Sequence, residues 1–222
     1  MLLTNVFTMI YQVWPLLLRG VATTLGISFA AMTIGLIGGT IAGIAACNRF
    51  KAKLTPIVFG YVLVIRATPV YVQVLITYYM LPELIGINLS PASAGVVALG
   101  CCSSAYVTEI IRSGINAVSI GQWEVSSVLG YSTWQTLWYI ILPQAINNVF
   151  PALVSELLSV LKDSSILSAI GLMELTKIAM NMSARTLDPI GAYALITVVY
   201  LFIAAVISFG AKLIEKKLAV ET

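Results

Sequence analysis

The chain contains no histidine, and only 9% of its 222 residues are charged. The first absence excludes a His-based catalytic triad or an imidazole proton relay. The second excludes an ordinary soluble domain, in which about 25% of residues are charged. No Gly-x-x-x-x-Gly-Lys-Ser/Thr phosphate cradle occurs, so nothing here grips a nucleoside triphosphate in the usual way. Lys and Arg form no long run, and a net charge of +3 spread along the chain makes no nucleic-acid patch. Cysteine is scarce: Cys47, Cys101 and Cys102. The adjacent pair is poorly placed to bond to itself, so all three read as small apolar core residues, with no disulfide and no metal role. No cleavable signal is evident, because the first strongly apolar run is too long for a signal h-region.

What is present is apolar: 59% of residues are hydrophobic and the mean hydropathy is +0.99. The solvent for most of such a chain is lipid. A membrane helix needs roughly 20 mostly apolar residues, and stretches near 21–46, 57–81, 92–114, 144–161 and 190–212 qualify. The expected fold is therefore an all-α membrane protein of about five transmembrane helices, with 1–222 forming a single transmembrane domain. Arg49, Lys51 and Lys53 follow the first span, and Lys212, Lys216 and Lys217 follow the fifth. Cytoplasmic loops collect Lys and Arg, which puts the N-terminus outside, the C-terminus inside and the 115–143 connection in the cytoplasm. The 162–189 connection then lies outside with Lys162, Lys177 and Arg185, balanced by Asp163, Glu174 and Asp188.

Within the first span, Ala31, Gly35, Gly39 and Gly43 recur every four residues. A bare stripe of this kind lets another helix approach closely, for internal packing or at a subunit interface. The polar residues inside spans are the informative ones, since a charge at the bilayer centre costs on the order of 2.5–3.5 kcal/mol on insertion scales. Asn148, Ala152, Ser155, Glu156, Ser159 and Asp163 fall on one face of the fourth span, with Val149, Phe150, Leu153, Leu157 and Val160 opposite. Glu156 is either neutralised by a proton or a neighbouring helix, or is a cavity anion for a substrate ammonium or guanidinium. In the second span Arg66, Val70, Gln73 and Thr77 share a face, and Pro69 interrupts the helix just after Arg66. Arg66 lies about nine residues from the cytoplasmic end. There it meets a substrate carboxylate, sits in a structural pair, or snorkels. Glu109 and Arg112 stand one turn apart and can pair within their own helix. Tyr193, Thr197 and Tyr200 make a weaker polar edge on the fifth span.

The 115–143 connection carries local structure of its own. Ser119 to Gly121 can start a helix with Glu124 in its first turn, Leu129-Gly130 can stop it in a left-handed cap, and Ser132-Thr133 offers a fresh N-cap. The product is a short helix, a sharp corner and a second helix feeding a span, which is a knob for a soluble partner.

Glu124, Gly130, Ile140, Leu142 and Pro143 match in register the signature cytoplasmic loop of ABC-importer permeases, although Val125 and Ser126 replace its two alanines. Arg66-Ala67-Thr68-Pro69, Ser104 to Ile110, Ile141 to Ala145 and Leu161 to Ser165 resemble elements of the polar amino acid permeases. The resemblance implies a type I importer transmembrane domain in a bacterial-type inner membrane. Its expected partners are a second permease subunit, identical or homologous, two ABC ATPase subunits and an extracytoplasmic amino-acid-binding protein. It implies no cofactor on this chain, with ATP and Mg held by the partner subunits. Glu124, Gly130, Leu142 and Pro143 are the expected coupling residues toward the ATPase. Glu156, Asn148, Ser155, Gln73 and Arg66 are the candidate substrate-binding residues. An ion-gradient-driven transporter and a channel are the competing readings, and attachment of an ATPase subunit separates them.

Overall fold

A computed structural model describes residues 2–47 and 55–220, with side chains described over 14–47 and 55–217. Its helices are α1 (Leu2–Ala45), α2 (Thr55–Ala67), α3 (Val70–Leu75), α4 (Leu81–Ile85), α5 (Pro91–Ala117), α6 (Ile120–Val128), α7 (Thr133–Thr136), α8 (Leu142–Asp163), α9 (Leu175–Thr186) and α10 (Pro189–Val220). Four helical stretches among the described residues are long and apolar enough to cross a membrane: Trp14–Ala45, Pro91–Ala117, Thr133–Ile170 and Pro189–Lys217. The pair divided at Thr68-Pro69 supplies up to a fifth. The expected fold class holds, and the first apolar stretch begins several residues earlier than position 21. The basic cluster Arg49, Lys51 and Lys53 lies outside the described residues.

Pro69 explains the division. It lacks an N–H and pushes the residue before it out of helical backbone. Thr68 Oγ1 turns back to donate to the carbonyls of Val64 and Ile65 at 2.9 and 3.2 Å. Periodicity carried across this point fails. Arg66 closes α2 while Gln73 and Thr77 follow on a separate helix, so the shared face expected for Arg66, Val70, Gln73 and Thr77 does not exist.

Two further prolines leave a different mark. A wide π-type turn at Ile76–Met80 precedes Leu81-Pro82, and another at Leu137–Ile141 precedes Leu142-Pro143. A proline ring clashes with the carbonyl four residues back, and a wider turn relieves that contact. At the second site Gln144 donates its side-chain amide to the Ile140 carbonyl at 2.8 Å, supplying one bond in the altered ladder.

The residues group into two compact units, each assembled from three separate pieces of chain. Unit one comprises Met1–Met32, Pro69–Gly100 and Leu157–Ile207. Ile27, Val74, Leu99, Val160 and Leu167 form one of its cores, and Leu17, Leu161, Leu175, Ile178 and Ile203 another. Helix α9 buries Leu175, Ile178, Ala179 and Met182, an amphipathic stripe. Its N-cap is Glu174, a fully buried carboxylate. That carboxylate accepts the backbone N–H groups of Thr176 and Lys177, both at 2.7 Å, and the Tyr200 hydroxyl at 3.1 Å. Burial pushes its pKa up, and the donated hydrogen bonds oppose the rise. Asp188 accepts the Gly191 N–H at 2.9 Å at the start of α10. Both acids thus serve helix starts, a role that the expected charge balance of the 162–189 connection does not include. Removing the cap with Glu174→Ala orphans two N–H groups and takes one partner from the Tyr200 hydroxyl. The expected cost is about 2 kcal/mol or more, with Glu174→Gln milder, as read by thermal unfolding.

Unit two comprises Thr33–Thr68, Cys101–Glu156 and Ser208–Thr222. Its core gathers Cys47, Ile115, Val118, Trp123, Leu137 and Ile141. Here the glycine stripe does its work. A Cβ on Gly35 would stand 2.6 Å from Ser103 Oγ, one on Gly39 2.5 Å from Val107 Cβ, and one on Gly43 2.8 Å from the Thr108 carbonyl. Alpha-helices α1 and α5 therefore touch nearly backbone to backbone, which is the internal-packing reading of the stripe. Tyr61 of α2 joins them by donating to the Cys101 carbonyl at 2.6 Å.

Along α10, Val198, Leu201, Phe202, Val206 and Phe209 are exposed at helical spacing. An apolar outer stripe on a spanning helix is a lipid-facing surface.

Candidate functional site

Unit two holds two adjoining cavities built by α2, α5 and α8. On α2, Phe59, Val62, Leu63 and Arg66 lie at steps of three, one and three, so they line one face. Tyr106 and Glu109 of α5 close that cavity, whose volume is about 500 Å3. Arg66 and Glu109 also line the second cavity, of about 450 Å3, together with Ile110, Arg112, Ser113, Gly114 and Ala117 of α5 and Asn148, Val149 and Ala152 of α8. Both are broad grooves open to the surface of this chain.

The charges are arranged in two groups. Arg112 donates to Glu109 through Nε at 3.2 Å and a terminal nitrogen at 2.6 Å. This forked pair within one helix turn is the one the spacing predicts. The Arg112 guanidinium also lies 5.4 Å from the centre of the Phe59 ring. Across the cavity, the Arg66 guanidinium sits 5.1 Å from the centre of the Tyr106 ring. Both contacts are cation–π arrangements, which hold a cation against an apolar wall.

The candidate residues divide accordingly. Arg66 and Asn148 share the second cavity. Ser155 and Glu156 continue the same face of α8 one turn beyond Ala152, outside the lining; Ser155 is exposed and donates to the Pro151 carbonyl at 3.0 Å, while Glu156 is half-buried. Gln73 belongs to α3 in unit one. The opposite face of α8 is core: Val149 and Val160 are buried, and Val149 packs where Gly114 leaves room. An exposed polar face on a spanning helix does not belong in hydrocarbon; it belongs at a water-filled path or a protein partner. Tyr106 and Phe59 are the site residues that sequence reasoning passed over. Tyr106 stands three residues before Glu109, one turn away on the same face, which is the signal that was there to read.

The 115–143 connection folds largely as expected. Ser119 Oγ accepts the Gly121 N–H at 3.3 Å and opens α6. Gly130 has φ +82, and the Tyr131 N–H closes back on the Ser126 carbonyl at 3.0 Å. This is a left-handed stop that only glycine enters at no steric cost. Ser132 and Gln135 then cap each other reciprocally, at 3.3 and 2.8 Å, to open α7. One detail differs: with Ile120 as the first helical residue, exposed Glu124 falls in the second turn, away from the helix N-terminus. Trp123 and Ser126 face the core, whereas Val125, Val128 and Leu129 are 58%, 88% and 68% exposed. Leu142 and Pro143 begin α8 immediately after the second π-type turn.

Comparison with known proteins bears on what this arrangement serves. Residues 35–220 match the family described as binding-protein-dependent transport system inner membrane component. The putative glutamine transport system permease protein GlnP of Rickettsia typhi is 37% identical, over 92% of this chain and 93% of that protein. The arginine transport system permease protein ArtQ of Bacillus subtilis is 36% identical over the same shares. A crystal structure of an amino acid ABC transporter with histidines superposes with a TM-score of 0.87 at 36% identity, covering 95% of this chain and 98% of that one.

Proposed function

From the chain's membership of the binding-protein-dependent transport system inner membrane components, which makes it a multi-pass permease subunit and not an enzyme, we propose that it carries polar amino acids inward. The type I importer fold of its structural relatives works with ATPase subunits, a partner permease and a binding protein. In the arrangement proposed here the substrate is basic or zwitterionic. ATP and Mg are taken by the partner ATPases, and an extracytoplasmic amino-acid-binding protein delivers the cargo to a pair of permeases. The N-terminus is outside. The basic end of α10, with Lys212, Lys216 and Lys217, is inside, as Lys and Arg distribution favours.

The observation that carries this reading is the pair of cavities in unit two. Charged, aromatic and amide groups converge there inside helices otherwise apolar enough to span a bilayer. Arg66 and Asn148 line the path directly, with Ser155 and Glu156 as further contacts along it. The elbow from Ser119 to Pro143 receives the ATPase through Val125, Val128 and Leu129, with Glu124, Gly130, Leu142 and Pro143 setting its shape. Nucleotide-driven closure of the ATPases moves this elbow and biases the spans between outward- and inward-facing states.

The test is reconstitution of the permease with its cognate ATPase and binding protein in liposomes. Amino acid uptake is expected to require internal-face ATP and to stop without the ATPase. Uptake driven by an ion gradient alone would sink the proposal. In the same system Glu156→Gln is expected to lower uptake at limiting substrate roughly tenfold, the effect of one lost charge-assisted bond. Equal uptake by the variant removes Glu156 from the path.

A further inference from the structure

We propose that Arg66 reads the free α-carboxylate of the cargo, so that the cavity of unit two selects amino acids by that group and rejects their carboxyl-blocked or decarboxylated analogues. This rests on the reading of the chain as an amino acid permease and adds the group that is recognised and the residue that recognises it.

Charge arrangement is the first argument. Glu109 and Arg112 neutralise one another through two hydrogen bonds in one helix turn. Arg66 lines both cavities, and its contact among the described residues is the face of the Tyr106 ring. Of the three charged side chains lining the cavities, it alone contributes an unneutralised charge, so the pair of cavities is built around one net cation. The Arg66 side chain is exposed on this chain, and a guanidinium on a spanning segment calls for an anion or a water-filled path.

Placement is the second. Arg66 is the next-to-last residue of the 13-residue α2, just before the break at Thr68-Pro69. Broken helices of this kind line substrate paths in transporters.

Geometry is the third. The Arg66 guanidinium carbon is 5.1 Å from the centre of the Tyr106 ring, which holds the group against an aromatic wall, and the planar N–H fork of a guanidinium suits a carboxylate bidentately. Tyr106 is accordingly a positioning residue. Ser113 and Asn148 line the second cavity with neutral hydrogen-bonding groups, placed for the remainder of a polar amino acid.

The test uses the permease–ATPase complex in lipid nanodiscs without the binding protein, which would impose its own selectivity. Radiolabelled L-glutamine and L-arginine are bound and then displaced by glutamine α-amide and agmatine. The wild type is expected to prefer each acid to its analogue at least tenfold, and Arg66→Gln to bind acid and analogue equally. Arg66→Lys keeps the charge without the fork and should retain a reduced preference. Tyr106→Leu, which leaves Arg66 in place, should lower the preference as well and serves if Arg66→Gln does not assemble. Full preference in the assembled variants overturns the proposal. So does loss of permease pairing in Arg66→Gln with preference intact, which would make Arg66 an interface residue. Failure of the wild type to bind either acid while ATP-driven uptake proceeds also overturns it, whereas absence of any amino acid uptake overturns the permease reading instead.

Discussion

Gly39→Ala is expected to destabilise the permease by about 1–3 kcal/mol, although alanine favours a helix over glycine by roughly 1 kcal/mol. The reason is the wall facing it. The added Cβ would lie 2.5 Å from Val107 Cβ and 2.8 Å from the Ser104 carbonyl oxygen. The second of these is backbone and cannot rotate away, so α1 and α5 must separate along the stripe that Gly35 and Gly43 share. Separation loosens the packing of α5, which carries Tyr106, Glu109 and Arg112, so substrate binding should fall with stability. Gly210→Ala is the control: its Cβ meets nothing within 4 Å, and the helix-propensity gain stands unopposed. Thermal unfolding of the two variants in the same detergent should move in opposite directions. Equal midpoints would mean that the contact between α1 and α5 is not a close-packed one.

That stripe was legible in the sequence because four-residue spacing of small side chains has one geometrical consequence in a helix. The Ser119 and Ser132 starts and the Gly130 stop were legible for a related reason: caps are local, and residues within a few positions of one another decide them. The pairing of Glu109 with Arg112 is local too. What escaped was whatever depends on a broken helix or on contacts between distant segments. Arg66 and Gln73 were placed on one face by counting through Pro69, which ends the helix that the count assumes. The two π-type turns before Leu81-Pro82 and Leu142-Pro143 leave no trace in hydrophobic periodicity. Glu174 reads as a charge to be balanced until the N–H groups of Thr176 and Lys177 are seen pointing at it. The cavities join α2, α5 and α8 across some 90 residues of chain: that Tyr106 stands one turn before Glu109 is legible locally, while its place beside Arg66 of another helix is not.

Val128→Asp combined with Leu129→Asp is expected to abolish ATP-driven uptake, with the chain still inserted in the membrane and the ATPase subunit lost on purification. Helix α6 buries Trp123 and Ser126 and turns Val125, Val128 and Leu129 outward, at steps of three and one along a single face. Val128, at 88% exposure, has almost no contact within its own chain, so the substitution removes little from the fold itself. Bringing a carboxylate into a packed interface costs several kcal/mol of desolvation, and about 3 kcal/mol already corresponds to more than a hundredfold in affinity. Gly130→Ala attacks the same elbow from within. It leaves the apolar face intact but forces a side chain into the left-handed conformation at φ +82, for about 1–2 kcal/mol. That variant should keep the ATPase yet transmit its stroke poorly, so that ATP is hydrolysed with less amino acid moved per cycle. The two outcomes separate grip from leverage. An aspartate pair that leaves the ATPase bound and uptake unchanged would place the docking surface elsewhere on the chain.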